Sequence, residues 1–334
     1  MGEPGAVPLV SVLICLYNGE RFLAGTIDSA LAQTHRDFEL IVVDDGSTDG
    51  SLAVLNSYAD PRLRVIRQPN SGAAAALRAG LQVARGVYIA PLDQDDLWEA
   101  GNLAAHVGEL ESRPGTALTF SWFRVIDDQG RDIGISSSRY RGTIDFEDLL
   151  RDFVIGATSN VVLRRTAIDR AGGVDSSLPG MYDLDLCLRI ALLEPGNVAA
   201  IPCHLMRYRR HAGQLSRNLA ALKLEWAQVL DKLRQLAPRE VARVEKRARS
   251  NMSRYFARLA FEGARYAVGL QLLSEGCRCA PAAFIADRRN WLTGAACLSG
   301  LLAPARLHRR LEGLAGLRRS GSGTSGRSDT ARNE

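Results

Sequence analysis

Four short apolar runs, each followed by a stretch with helical periodicity, occupy the first hundred residues and constrain this chain more than any other feature. Residues 9–15, 38–43, 63–66 and 87–92 read as buried strands, and residues 20–33, 49–58 and 72–85 read as the helices between them. A βαβαβαβ series of this kind builds a parallel sheet with its crossover helices on both faces. Right-handed crossovers then place the carboxyl ends of all four strands along one edge, where ligands of open α/β sheets bind. That edge is strongly polar. Tyr17-Asn18 follows the first run, Asp44-Asp45-Gly46-Ser47 the second, Asn70 the third and Asp93-Gln94-Asp95-Asp96 the fourth.

Five aspartates gathered on one rim repel one another unless a cation joins them. The spacing Asp93-x-Asp95 lets two carboxylates of one turn face the same divalent ion, and a purely oxygen donor set favours Mg2+ or Mn2+. The bland alternative is an acidic turn capping a helix before Leu97-Trp98. The strand ahead of the triplet and the companion pair Asp44-Asp45 favour the metal.

At this point the residues resemble a known family. Val10-Ser-Val-Leu-Ile-Cys-Leu-Tyr-Asn18, Phe38-Glu-Leu-Ile-Val-Val-Asp-Asp-Gly-Ser-Thr-Asp49, Asn70-Ser-Gly72, Leu92-Asp-Gln-Asp-Asp96, Tyr182-Asp-Leu-Asp-Leu-Cys-Leu-Arg189 and Tyr208-Arg-Arg-His211 look, in that order, like the family 2 glycosyltransferases. The match covers roughly residues 8–217. The resemblance implies a GT-A fold, a mixed α/β sheet flanked by helices. It also implies a nucleotide-diphosphate sugar donor, a bound Mn2+ or Mg2+ and inversion at the anomeric carbon.

Carried over residue by residue, the resemblance puts Tyr17, Asn18 and Asp44 against the base and ribose of the nucleotide, with Asp45 close by. Asp93 faces ribose and metal, Asp95 coordinates the metal, and Asp96 is a cap or support. The family's late acidic pair falls on Tyr182-Asp183, so Asp183 is the expected catalytic base, with Asp185 as the fallback. Tyr182 is a departure, because the family carries an acid there. Cys15 is another, a packing change where the family carries Pro or a small residue. His211 matches a segment that folds over the diphosphate and is expected to touch metal or phosphate. Arg207, Arg209 and Arg210 alternate around Tyr208, so one face can meet the donor; Arg209 is the expected contact, and Ser216 is a further candidate.

From residue 101 to about 202 the pattern is mixed, with a helix at 102–111, strands at 117–126 and 160–163, and a helix starting near 182. Beyond residue 218 it is helical, at 219–236, at 238–262 and in shorter pieces to about 317. Three units are expected: a GT-A domain at 1–217, an all-helical extension at 218–317, and a disordered tail at 318–334, which is Ser, Gly, Arg and Thr with almost nothing to bury.

Charge follows the same division. Residues 1–200 carry 17 basic and 27 acidic side chains, net −10, and residues 201–334 carry 25 and 10, net +15. An arginine-rich amphipathic extension beside a sugar-transfer site suits peripheral contact with an anionic membrane, and hence a lipid-linked acceptor. No nucleic-acid module is recognisable, so nucleic acid is not an expected partner. The apolar run at 291–304 falls short of the roughly 20 residues a spanning helix needs. No secretory leader is expected, the six scattered cysteines suit a reducing compartment, and Cys277-Arg-Cys279 reads as buried thiols because no second ligand pair lies nearby.

The expectation is therefore a cytoplasmic enzyme with peripheral contact at the inner face of the cell membrane. It would move a sugar to a glycan, glycolipid or protein hydroxyl in cell-envelope polysaccharide or glycan assembly. Arginine-tryptophan signatures of processive synthases are absent, which favours adding one sugar or a few. Two alternatives remain: a non-catalytic nucleotide-sugar or glycan-binding module, and a nucleotidyltransferase, which would want a Gly-rich, lysine-bearing loop after the first strand.

Overall fold

The computed structural model describes residues 7–137, 140–211, 213–214 and 218–302. Strands β1 (Val10–Leu16), β2 (Phe38–Asp44), β3 (Leu63–Arg67) and β4 (Tyr88–Asp93) are parallel and connected through helices α1 (Glu20–Leu31), α2 (Ser51–Asn56) and α3 (Ala73–Val83). The order across this half is β3-β2-β1-β4. The chain moves outward from β1 to β3 and then returns to the other side of β1, so the switch point for ligand binding lies between β1 and β4. Register brings the chemistry level there: Cys15 pairs with Asp93, and Leu16 with Asp44.

Beyond β4 the sheet becomes mixed. β5 (Leu97–Trp98) follows the acidic turn directly, so Leu97 and Trp98 form a strand and do not open a helix. After α4 (Asn102–Ser112), β6 (Leu118–Ile126), β7 (Asp132–Ser136) and β8 (Gly142–Ile144) precede α5 (Phe146–Arg151) and a 3-10 turn at Thr158–Asn160. Then come β9 (Val161–Arg164), α6 (Arg165–Arg170), α7 (Tyr182–Ala191) and β10 (Val198–Arg209). The full order is β3-β2-β1-β4-β9-β6-β10-β5, with β9 antiparallel to β4 and β6. β10 is the long strand the sequence pattern hides. Its pairing with β6 shifts register between Ile201 and His204 and again before Met206, around Pro202, which breaks the alternation of buried and exposed residues.

Side chains of β1 alternate between two apolar layers, as the pleat requires. Val12, Ile14 and Leu16 pack with Leu23 and Ile27 of α1 and Leu103 and Val107 of α4. Leu13, with Ile41 and Val43 of β2, faces α3 and α7. Helices α8 (Leu219–Leu236), α9 (Pro238–Glu262), α10 (Tyr266–Cys279), α11 (Pro281–Ala286) and α12 (Arg288–Leu302) follow β10. Leu222, Trp226, Val229 and Val241 join the layer that holds Leu13, so one core runs across residue 218. The helices thus cover the sheet and complete one side of the cleft. The expected helical pieces beyond 302 and the expected tail at 318–334 lie outside the described residues.

All six cysteines are free; Cys187 and Cys297 are buried, whereas Cys277 and Cys279, expected to be buried, are only partly so, and Cys203 is exposed. No helix among the described residues is long and apolar enough to cross a membrane.

Candidate functional site

A cavity of about 540 Å³ opens at the carboxyl ends of β1 and β4. Asp93 and Asp95, at the carboxyl end of β4, form its floor, and Tyr17, Asp45, Tyr182 and Asp183 line it together with Met252 and Tyr255 of α9. Nearly half of the Tyr17 surface is open.

The Tyr17 turn is tied to the β4 turn through Gln94. Its Oε1 accepts the Tyr17 N–H at 2.8 Å, and its Nε2 donates to the Tyr17 carbonyl at 3.1 Å. Gly19 permits this closeness, since a Cβ there would stand 2.6 Å from Gln94 Oε1. Asn18 adopts a positive φ of 49°, and its Oδ1 accepts the Thr48 N–H at 2.8 Å, stapling the loop after β1 to the loop after β2.

The two aspartates after β2 are spent differently. Asp44 is fully buried, with Oδ1 accepting the Ser47 N–H and Oδ2 accepting from Arg67 Nε at 3.2 Å. It holds loops and is not part of the cavity wall, in contrast to its expected place against the ribose. Asp45 does line the cavity, and it gathers the loop after β3 by accepting from Gln68 Nε2 and from the Ser71 and Gly72 N–H groups at 2.7–2.9 Å.

At the floor, burial and then the charges of Asp95 and Asp183 push the Asp93 carboxyl up to about 8. Asp95 Oδ2 is 2.6 Å from His211 Nε2, and the His211 ring rests against Phe22 with centroids 4.8 Å apart. Arg209 backs this turn. Its Nε donates to the Asp95 carbonyl at 2.7 Å, its Nη1 to the Asp127 carbonyl at 3.3 Å, and its guanidinium lies over Phe22. The Arg209 head therefore supports the acidic turn from behind and does not line the cavity, unlike the donor contact expected of it. Asp96 is a support as expected: it accepts from Ser159 Oγ at 2.6 Å and from the Arg209 N–H at 2.8 Å.

Asp183 sits in the first turn of α7, where the helix dipole favours a carboxylate. Its Oδ2 accepts from Thr158 Oγ1 at 3.2 Å and its Oδ1 from the Leu184 N–H at 2.8 Å. Burial nevertheless holds its affinity for a proton above the usual carboxylate range, and Glu225 adds to this. Tyr182 is buried beside it, with its hydroxyl 3.4 Å from Thr158 Oγ1. Burial followed by the Asp93 charge raises the Tyr182 phenol, so it is a neutral donor at this wall. Burial likewise raises the Cys15 thiol at the floor.

Several expected residues point elsewhere. Asp185 is fully buried on the other side of α7, paired with Arg189 at 2.6 Å and Lys232 at 2.9 Å, so it cannot be the fallback base. Arg207 pairs with Glu99 at 2.6 Å, and Arg210 with Glu262 at 3.1 Å. Ser216 lies outside the described residues. Sequence reading missed Gln94, which sits unremarked between the two aspartates of the triplet. It also missed Thr158 and Tyr255, which no motif marks.

Among the described residues, no group of three or more His, Cys, Asp or Glu side chains is arranged to hold a metal ion by itself. The Asp95–His211 pair, with Asp93 raised by the neighbouring Asp95 charge, does fit a Mg2+- or Mn2+-type site, in which one or two carboxylates and substrate phosphates share the ion.

The sequence profile of Glycosyl transferase family 2 matches residues 11–172. The Escherichia coli UDP-Glc:alpha-D-GlcNAc-diphosphoundecaprenol beta-1,3-glucosyltransferase WfaP is 31% identical over 214 residues, covering 63% of this chain and 80% of that protein. The chain belongs to glycosyltransferase family 2. An Escherichia coli chondroitin synthase is 32% identical over 191 residues, 57% of this chain. The family member described here spans only 27% of that synthase and 34% of a Rickettsia bellii glycosyltransferase. Among solved structures, S. aureus TarS 1–349 in complex with UDP-GlcNAc superimposes with a TM-score of 0.62 at 14% identity, covering 92% of this chain and 89% of that one. The shared architecture is the GT-A fold, and its reach beyond residue 218 shows that the helices belong to the common frame.

Proposed function

We propose that this family 2 glycosyltransferase moves a sugar from a nucleotide-diphosphate donor to a hydroxyl of a glycan or glycolipid acceptor, with inversion at the anomeric carbon. One observation carries the reading: Asp183 and the Asp93–Asp95 turn line the same cavity, and Asp183 is near enough for its charge to raise the Asp93 carboxyl. Inversion by single displacement needs a base on the face of the sugar opposite the departing diphosphate. Asp183 is that base, held by Thr158 and lifted by burial toward useful basicity. The exposed Tyr17 ring offers a face to the nucleobase, and Asp45 and Asp93 line the adjoining wall.

Asp95 and His211, with Asp93 beside them, are the residues that would hold Mn2+ or Mg2+. When bound, such an ion neutralises charge on the leaving diphosphate. Arg209 holds the backbone of that turn in place. Tyr182 and Cys15 extend the floor as neutral groups, where a further carboxylate would compete with Asp183 for protons.

The acceptor class is drawn from relatives such as WfaP, whose name specifies a diphosphoundecaprenol-linked sugar. Ile285, Trp291, Leu298 and Leu302 are exposed on α11 and α12, an arrangement that supports peripheral contact with a cytoplasmic membrane face. Tyr182 in place of an acid is the one feature favouring a non-catalytic binding module. A thermal-shift screen with UDP, GDP and dTDP sugars, with and without Mn2+, tests the donor reading. Stabilisation by one nucleotide class, enhanced by Mn2+, is expected, and no response to any of them would overturn it. Measured release of nucleotide with transfer would set aside the binding-module reading.

A further inference from the structure

The start of α7 decides where Asp183 stands, yet the residues ahead of it do little to fix that start. Met181 at the N-cap makes no side-chain capping bond, and Gly180 before it has no side chain to offer. The first helical bond runs from the Asp185 N–H to the Met181 carbonyl at 3.0 Å, so a shift of Gly180 and Met181 moves the turn that carries Asp183. The anchor comes from α8 instead. Glu225 Oε2 accepts the Gly180 N–H at 2.7 Å. Gly180 permits the approach, since a Cβ there would stand 2.8 Å from Leu222 Cδ2 and 3.3 Å from Glu225 Oε1.

Glu225 is unlike the other buried acid near this helix. Asp185 is paired with Arg189 and Lys232, whereas Glu225 is just as surely buried and has no Lys or Arg partner among the described residues. Burying a carboxylate without a cation is costly, so its retention beside a reaction site points to a role there. Gly180, Met181 and Leu222 line the first cavity with Asp183, and Glu225 stands behind Gly180, outside the wall. It therefore touches neither donor nor acceptor. A carboxylate accepting a backbone N–H makes a strong, charge-assisted bond, and withdrawing it leaves a buried donor unmet.

We propose that Glu225 is a positioning residue for sugar transfer: through the Gly180 N–H it sets where α7 begins, and so where the Asp183 carboxylate meets the reacting hydroxyl. A base displaced by a fraction of an ångström loses its alignment with the proton it takes. The assignment rests on the reading of Asp183 as the base. It adds that α8, in the helical extension and outside every motif, takes part in the reaction.

Three variants of the full chain separate the reach of this side chain from its charge. Glu225→Asp keeps the charge and draws the carboxylate back by one methylene. Glu225→Gln keeps the length and an acceptor oxygen and gives up the charge, and Glu225→Ala gives up both. Nucleotide release is followed in Mn2+, with water as acceptor, from whichever of UDP-glucose, GDP-mannose and dTDP-glucose stabilises the protein. Turnover is expected to fall roughly tenfold or more in Glu225→Ala and Glu225→Asp, with KM for the sugar nucleotide unchanged, and Glu225→Gln recovers most of the loss. Amide hydrogen exchange over residues 181–186 reads the start of α7 whether or not release is fast enough to measure. It is expected to quicken in the Ala and Asp variants and to stay at the wild-type rate in Glu225→Gln. The proposal is overturned if Glu225→Asp turns over as the wild type does, if Glu225→Gln falls as far as Glu225→Ala, if the loss lies in KM, or if exchange at these amides is the same in all four proteins. Wild-type release by Asp183→Asn would instead sink the reading of Asp183 as the base.

Discussion

Asp95 Oδ2 stands 2.6 Å from His211 Nε2, and the Gly213 N–H donates to Nδ1 of the same ring at 3.2 Å. The Gly213 contact makes Nδ1 the acceptor, so Nε2 carries the proton and points it at Asp95. A neutral ring that ligated a divalent cation through Nε2 would carry its proton on Nδ1 instead, at the expense of the Gly213 contact. Asp95→Asn and His211→Ala are each expected to weaken Mn2+-dependent nucleotide binding tenfold or more, with a smaller effect on binding in EDTA. Titrating Mn2+ into the nucleotide-saturated protein while following its thermal midpoint measures this. An unchanged Mn2+ dependence in Asp95→Asn would remove the ion from the turn.

Asp183→Asn tests the base. Its side chain keeps an oxygen for Thr158 Oγ1 or the Leu184 N–H and loses the ability to take a proton. Transfer is expected to fall by roughly 10²–10⁴, with nucleotide binding retained. Because the Asp183 carboxyl is held above the ordinary range by burial, the acid limb of kcat/KM in the wild type should lie above the range of an ordinary aspartate. Progress assays across pH 4–8 measure both effects, and turnover comparable to wild type in Asp183→Asn would move the base to another group.

How much of this was legible in the sequence depends on how local the signal was. Strands β1 and β2 are apolar at nearly every position because both faces are covered, so a short run suffices to find them. The Asp93-x-Asp95 spacing and the start of α7 are equally local. Orientation was not local. Asp44 and Asp45 are adjacent, yet only the second lines the cavity, because the strand ends there and the side chains diverge. Asp185 is two residues from Asp183 and on the opposite side of a helix, where its pairing with Arg189 and with Lys232, far along the chain, shows that it is structural. Arg209 reads as a phosphate ligand until Phe22 and the Asp95 carbonyl are seen to hold it. Tyr255 carries no motif, because its place in the cavity comes from packing α9 against a sheet formed much earlier in the sequence.

Asp185 carries a prediction of its own. It is buried between Arg189 and Lys232, and removing one partner of a buried charge cluster leaves the others uncompensated. Asp185→Ala is expected to cost roughly 3–5 kcal/mol of stability. Urea denaturation measures the loss, and nucleotide binding per folded molecule should stay at the wild-type level. Loss of nucleotide binding with stability intact would return Asp185 to the site.

His106 predicts how stability depends on pH. It is fully buried in α4, its Nδ1 is 2.8 Å from Thr119 Oγ1, and its Nε2 has no partner among the described residues. Burial pushes its pKa down to about 3 from the ordinary 6.5. The unfolded chain thus binds a proton that the native protein refuses between those values. The neutral histidine's contribution is fully present above pH 6.5 and is lost as pH falls toward 3, at roughly 1.4 kcal/mol per pH unit. Asp93 works in the opposite sense over an overlapping window, because its raised value lets the native state hold a proton the unfolded chain releases. Comparing wild type with His106→Leu cancels Asp93, which both proteins retain. Thr119 Oγ1 keeps its bond to the Val162 carbonyl in the variant. Urea midpoints at pH 7.5, 6.5 and 5 should show the wild type losing stability relative to His106→Leu as pH falls. Parallel curves would mean that the imidazole takes up its proton in the native state as readily as in the unfolded chain.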